Sequence, residues 1–271
     1  MKRIWLNVLT LVALSGMVLR AQAPQTPPPT PMAADADPSF EVATIRPSDP
    51  AATDVGFRVG GRKFSVLSTS LSVLIQWAYG VHEKQIVGGP DWLDNDKFDI
   101  VGVPDKEGKP SGAQWKMMTR KLLADRFKLT FHHDKRVLSV YTLSVSKAGS
   151  KLAKSDSTGN LISFSFETAA GGISLPVKNA TMAEFASVMQ TGVLDRPVVD
   201  QTGIEGRYDL VLKWAPDDSQ FGGHPPEASK ADSPLPSLFT AMQEEVGLKL
   251  DAVKAPVDVL AIDHVEKPSG N

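Results

Sequence analysis

The chain has no cysteine among its 271 residues. That absence excludes disulfides, a thiolate nucleophile, thiolate metal sites and acylation at a cysteine. A long basic run is missing too: 29 Lys and Arg stand against 31 Asp and Glu, so the electrostatic footprint of a nucleic-acid binder is absent. Neither a G-x-G-x-x-G nor a G-x-x-x-x-G-K phosphate loop occurs, and there is no G-x-S-x-G elbow or S-x-x-K pairing with its supporting motifs. Long apolar runs are confined to the start of the chain.

That start reads as an export leader over residues 1–23. Lys2 and Arg3 give a positive beginning, Ile4 to Leu19 is mostly apolar, and Ala21-Gln22-Ala23 offers small-x-small cleavage. Cleavage after Ala21 or after Ala23 both fit. The run is shorter than the roughly 20 apolar residues of a spanning helix, so no permanent membrane span is expected once the leader is gone. Its removal takes Lys2, Arg3 and Arg20 and moves the formal net charge from −2 to −5. The expected location is the periplasm or the exterior. Residues 24–38 carry six prolines and almost no large apolar side chain, which predicts a disordered, partly extended spacer. With 42% hydrophobic residues the remainder can fold by burial alone.

The remainder is self-similar. GRKFSVLSTSLSVLIQWAYGVHEKQIVGGPDWLDNDKFDIVGV (61–103) parallels GGISLPVKNATMAEFASVMQTGVLDRPVVDQTGIEGRYDLVLKW (171–214). Each reads as strand, amphipathic helix, short apolar pair (Ile86-Val87, Val198-Val199), then a strand opening Lys97-Phe98-Asp99-Ile100 or Arg207-Tyr208-Asp209-Leu210. A later pair, 117–145 and 238–265, reads as a helix ending at Phe127-Lys128-Leu129 or Leu248-Lys249-Leu250, then a strand, a tight turn and a second strand. Ser111 with Gln114 and Thr181 with Glu184 fit capping boxes, and Gly247 fits a helix stop. Phe40 to Ile45 and Leu161 to Phe166 are further strand candidates. The expected fold is α+β, a tandem repeat of two similar units with mixed or antiparallel sheets, over 39–155 and 156–271. Residues 104–112 and 215–236 read as loops, the second mobile.

FEVATIRPS, GGPDWLDNDKFDI, LLADRFKLTFHHDKRVLSVYTLSV, RPVVDQTGIEGRYDL and APVDVLAIDHVEKPSGN, in that order, resemble the soil-associated protein family, a domain of unknown function expanded in soil bacteria. The resemblance spans 39–271. It implies export without an assigned activity, and a related domain that follows a beta-lactam-sensor-type membrane peptidase hints at sensing. The GLKLDAVKAPVDVLAI unit is also similar to the small βαβ modules of secretin and TonB-linked receptor N-termini, a likeness of fold rather than function.

Two clusters tempt a catalytic or metal reading. His132, His133 and Asp134 are expected at a hairpin turn, but neighbouring strand residues point to opposite faces. Asp91, Asp94, Asp96 and Asp99 concentrate carboxylates without the alternating ligands and central glycine of an EF-hand. Trp77, Tyr79, Trp92 and Trp214 read first as packing residues; gathered in a groove or at a sheet edge between the repeats, they would bind a peptide or glycan. The leading expectation is a non-catalytic extracytoplasmic binding or sensing module, without cofactor, whose partner is an envelope protein, a peptide or a glycan. The alternative is a hydrolase or metal-dependent enzyme built on the Asp91–Asp99 loop or on His132 and His133, and a purely structural envelope role is the third option.

Expressed with its leader in an exporting host, the chain should be recovered outside the cytoplasm beginning at Gln22 or Pro24. Intact mass spectrometry checks this, and a product that keeps Met1 would overturn the leader reading.

Overall fold

The computed structural model describes residues 30–157, 159, 162–169, 171–226 and 233–268. The leader, residues 24–29 of the spacer, Leu161 and residues 227–232 lie outside that set. The first half runs β1 (Phe40–Pro47), β2 (Gly56–Gly60), β3 (Lys63–Ser70), α1 (Leu71–Tyr79), β4 (Ile86–Val87), α2 (Trp92–Asn95), β5 (Lys97–Pro104), α3 (Gly112–Arg126) and β6 (Thr130–Val145). The second half follows with β7 (Ala153–Lys154), β8 (Ser163–Phe164), β9 (Glu167–Ala169), β10 (Gly172–Ala180), α4 (Met182–Gly192), β11 (Val198–Asp200), β12 (Tyr208–Trp214), α5 (Leu238–Glu245) and β13 (Leu248–His264). The α+β class is therefore as expected.

The strand–turn–strand expected after each second helix does not form. β6 and β13 are single strands of 16 and 17 residues, antiparallel to one another from Thr130↔His264 to Val145↔Leu248. Thr130–Val145 contains no glycine or proline, so nothing breaks the strand, and the two strands stay paired over nearly their whole length. His132 and His133 accordingly sit inside a strand, opposite Ala261 and Leu260. Along the ribbon's flanks the halves exchange: β4 of the first half lies parallel on β13, and β11 of the second lies parallel on β6. Ile86 meets Leu260 and Val198 meets Tyr141.

The two helix ends that feed the ribbon correspond through backbone geometry. Lys128 and Gly247 both take left-handed conformations, φ 52° and 71°, so Leu129 corresponds to Leu248. The sequence match of Phe127-Lys128-Leu129 to Leu248-Lys249-Leu250 is thus out of step with the structure. Residue identity found the similar letters, whereas the position of the left-handed cap sets the register.

Each half adds an antiparallel sheet of its own, in the orders β1-β5-β3-β2 and β7-β12-β10-β8, with β9 also on β10. The paired signatures Phe98-Asp99 and Tyr208-Asp209 are explained here. β3 and β10 each slip register just before their helix, at Val66/Thr69 and Val177/Ala180. In those bulges Ser68 and Asn179 adopt positive φ, 43° and 57°, a conformation costly for a residue with a Cβ. Asp99 Oδ1 accepts from the Ser68 N–H at 3.0 Å and from Ser48 Oγ at 2.8 Å. Asp209 Oδ1 accepts from the Asn179 N–H at 2.9 Å, and Lys178 Nζ donates to Oδ2 at 3.0 Å. Each aspartate therefore clamps the strand-to-helix kink of its own half.

Both expected capping boxes are present: Ser111 and Gln114 exchange bonds of 3.2 and 2.9 Å, Thr181 and Glu184 bonds of 3.1 and 2.9 Å. The helices pack between their own sheet and the ribbon. One core joins Ile45, Phe64, Phe98 and Ile100 to Leu74, Met118 and Leu123, with Leu260 arriving from the ribbon. The other joins Leu175, Leu212 and Trp214 to Phe185, Met189 and Met242, with Tyr141, Leu143 and Leu250 from the ribbon.

Parts of the expected spacer and of the expected mobile loop are held by hydrogen bonds among the described residues. From Thr30 on, the proline-rich spacer is docked: Met32 is buried, its N–H donates to the Lys109 carbonyl, and Gln114 Nε2 donates to the Ala33 carbonyl. The described part of 215–236 is anchored, because Gln220 is buried and accepts from Trp214 Nε1 at 2.7 Å while Phe221 stacks on the same indole. A buried indole N–H needs an acceptor, and this loop supplies it.

Backbone N–H donation, before any other cause, holds the Asp99 and Asp209 carboxyls below their ordinary values. Their stabilisation is fully present above about pH 4 and is lost as pH falls through the lowered folded values. Asp99→Ala and Asp209→Ala should each cost about 1–3 kcal/mol near neutral pH, since a kinked N–H loses its acceptor. Urea unfolding at several pH values checks this: the variants should lose less stability on acidification than the parent, and an unchanged acid limb would refute the clamp.

Candidate functional site

A cleft of about 350 Å³ lies at the β4–α2 connection, bordered among others by Ser72 of α1, Glu83 and Lys84, the run from Gly88 to Asp91, and Asp94. Two glycines shape it. Gly88 and Gly89 have φ of 79° and 88°, and a Cβ on Gly89 would stand 2.4 Å from Leu93 Cδ1. The chain can therefore fold back over Leu93, which is buried beneath the cleft, only with glycine there.

The four aspartates once grouped together separate into two pairs with different duties. Asp99 is committed to the β3 kink, and Asp96 receives Lys267 Nζ at 2.5 Å. Asp91 and Asp94 line the cleft and make no ion pair among the described residues, nor does Glu83. Asp91 precedes α2 without using its side chain as a cap. The described residues contain no group of three His, Asp or Glu side chains placed to hold a metal ion, which removes the calcium-loop arrangement. His132 and His133 do not converge either: His132 Nδ1 lies 2.8 Å from Asp263 on one face, and His133 meets the edge of Phe131 on the other.

A residue that the sequence did not single out is His82, which follows the end of α1. It is only 4% exposed. Its Nδ1 accepts from the Lys84 N–H at 3.1 Å, and its other ring nitrogen bonds to the Leu194 carbonyl. Beside it Lys84 Nζ reaches the Asp195 carbonyl at 2.5 Å. The turn that forms one wall of the cleft is therefore pinned to the second half of the molecule. Burial, ahead of the nearby charges of Glu83, Lys84 and Asp195, pushes the His82 pKa down. The available signal was its place three residues before Gln85, which returns a bond to the His82 N–H and completes the cap.

The four aromatic candidates do not form a common platform, and no ring contact joins any two of them among the described residues. Trp77 is half-buried between Phe57 and Phe64, with centroids 5.3 Å from each. Tyr79 lies between Phe131 and the Arg120 guanidinium, 5.0 and 5.1 Å away, and burial raises its pKa. Trp92 packs edge-on to Phe98 under Lys267. Trp214 is 0% exposed, sealed by Gln220 and Phe221, so it is a core residue. The reason is common to all four: each ring finds its ring partners within its own half of the chain, so no aromatic groove joins the four.

A family model described as protein of unknown function (DUF3738) matches residues 72–265. The chain belongs to that family. The match begins in α1 and ends just beyond β13, so it covers the ribbon, all five helices and the cleft. Neither curated proteins nor solved structures gave a match. No helix among the described residues is long and apolar enough to cross a membrane.

His82 is neutral in the fold, so its contribution is complete above its ordinary pKa of about 6.5 and declines as pH falls below it. His82→Ala should destabilise by about 1–3 kcal/mol at pH 7.5 by stranding the Lys84 N–H and the Leu194 carbonyl. It should also flatten the loss of melting temperature between neutral and mildly acid pH, which calorimetry would read. A parent and variant with parallel pH profiles would contradict this role.

Proposed function

We propose that this protein is an extracytoplasmic binding module whose ligand site is the Gly88–Asp94 cleft, and that the ligand presents a free ammonium group, as a peptide N-terminus or an amino sugar does. The observation that carries the reading is the contrast among neighbouring carboxylates. Asp96 and Asp99 are neutralised by Lys267 and Arg46, while Asp91, Asp94 and Glu83 border the cleft without an ion pair among the described residues, the Lys84 ammonium on its wall being turned to the Asp195 carbonyl. A compact ammonium fits between such carboxylates, and its strength there grows as water is displaced from the cleft. The leader supports a role outside the cytoplasm. The correspondences Lys128/Gly247, Ser68/Asn179 and Asp99/Asp209 support an origin of the halves 39–155 and 156–271 in one duplicated unit, of which only the first elaborated this cleft.

Titration calorimetry with a triglycine and with glucosamine, each beside its N-acetylated form, tests the site. The free-amine forms should bind and the acetylated forms should be weaker by about tenfold or more. The double variant Asp91→Asn/Asp94→Asn should lose the same factor while keeping its melting temperature. Equal binding of free and acetylated probes, or none at all, would overturn the ammonium reading.

A further inference from the structure

His82 sits in the segment that walls the cleft. Residues 81–87 run between glycines in left-handed conformations, Gly80 at φ 70° on one side, Gly88 and Gly89 at 79° and 88° on the other. Within that span Glu83 and Lys84 border the cleft. Three bonds hold the span and its Gly80 end to the second half. Gln190 Nε2 of α4 donates to the Gly80 carbonyl at 3.0 Å. The His82 ring bonds to the Leu194 carbonyl, and Lys84 Nζ donates to the Asp195 carbonyl.

The bonds of the ring fix its protonation state. Nδ1 accepts from the Lys84 N–H at 3.1 Å, so that nitrogen carries no proton and the other one donates to the Leu194 carbonyl. A proton added at Nδ1 sets a donor against the Lys84 donor, and it places a charge in a buried site. The charged groups that face the ring are Glu83 and Lys84 on its own turn and Asp195 on the loop after α4. The two carboxylates favour the proton and the ammonium opposes it. Burial outweighs them, so the ring stays neutral until the pH falls below its ordinary value of about 6.5.

We propose that His82 is an acid-operated latch on the cleft: protonation at Nδ1 expels the Lys84 N–H, opens the turn from His82 to Gln85, and frees the Glu83–Lys84 wall from the second half while the rest of the fold persists. Glycines at both ends let the segment swing without driving a Cβ into a strained backbone conformation. As the turn opens, Lys84 leaves the Asp195 carbonyl and Glu83 leaves the rim, so a cation in the cleft loses one of its carboxylates. That consequence for a ligand rests on the reading of the cleft as an ammonium site; the opening itself does not.

Hydrogen exchange on the ligand-free chain, resolved at the Lys84 amide by nuclear magnetic resonance, reads the latch. Corrected for intrinsic exchange, the protection of that amide should fall by up to about tenfold per pH unit below about pH 6.5. It should also lie at least about tenfold under that of the β6–β13 ribbon at pH 5.5, because a local opening costs less than global unfolding. In His82→Asn the amide oxygen stands where Nδ1 stood and accepts the Lys84 N–H without titrating, so Lys84 protection should no longer depend on pH. Lys84 as protected as the ribbon at pH 5.5, a parent profile that is flat, or a variant that follows the parent would each overturn the latch. Triglycine or glucosamine at about a hundredfold its dissociation constant should raise Lys84 protection by about tenfold or more. A probe that binds without doing so would detach the latch from the cleft. Absence of binding by both probes sinks the ammonium reading alone, and the ligand-free exchange still decides the latch.

Discussion

The antiparallel ladder between β6 and β13 is what the rest of the molecule depends on. Each strand runs from one core to the other: β6 leaves the first half at Leu129 and delivers Tyr141 and Leu143 to the second, while β13 leaves the second at Leu250 and delivers Leu260 to the first. Neither half can complete its core without the other's strand. The short strands β4 and β11 then add to the ribbon's opposite edges, each on the strand that originates in the other half. Cutting the chain between the halves would therefore expose both cores, and the interface is one of folding rather than docking.

On that frame the similar dipeptides of the two halves, Phe98-Asp99 and Tyr208-Asp209, acquire a mechanical reason. A strand that must bend sharply into a helix needs a residue with positive φ, and Ser68 and Asn179 accept that strain because an aspartate on the neighbouring strand captures their N–H. Arg207 adds to the second kink by donating to both Glu184 oxygens at 3.0 Å. The cleft is one place where the halves differ. The first carries Gly88-Gly89-Pro90-Asp91 and α2 before its β5 strand, and no helix stands at that point in the second. His82 and Lys84 tie its wall to Leu194 and Asp195, so the shape of the cleft depends on how the halves fold together.

Helices, caps and stops could be read from the chain because their causes are local. Ser111 reaches Gln114 and Thr181 reaches Glu184 within one turn, and no distant residue is needed to form those bonds. Sheet edges and aromatic sites were read less well, since period and propensity give a side chain's face but not what lies across from it. Trp214 and Trp77 are the same residue type in amphipathic surroundings, yet one is sealed by Gln220 from a loop expected to be mobile and the other stays half-open at a sheet edge.

By itself the sequence determined the α+β class, the helix caps at Ser111 and Thr181 and the stop at Gly247, the basic-aromatic-aspartate-apolar motif in each half, and the exclusion of all thiol chemistry, because these follow from composition and from contacts a few residues apart. The tertiary structure decided that the expected hairpins are one continuous ribbon, and that Asp99 and Asp209 serve the backbone while Asp91 and Asp94 border a cleft without an ion pair among the described residues. Those outcomes depend on which strand lies beside which, and pairings over a hundred residues apart, such as Thr130 with His264, are chosen by mutual burial rather than by any local signal.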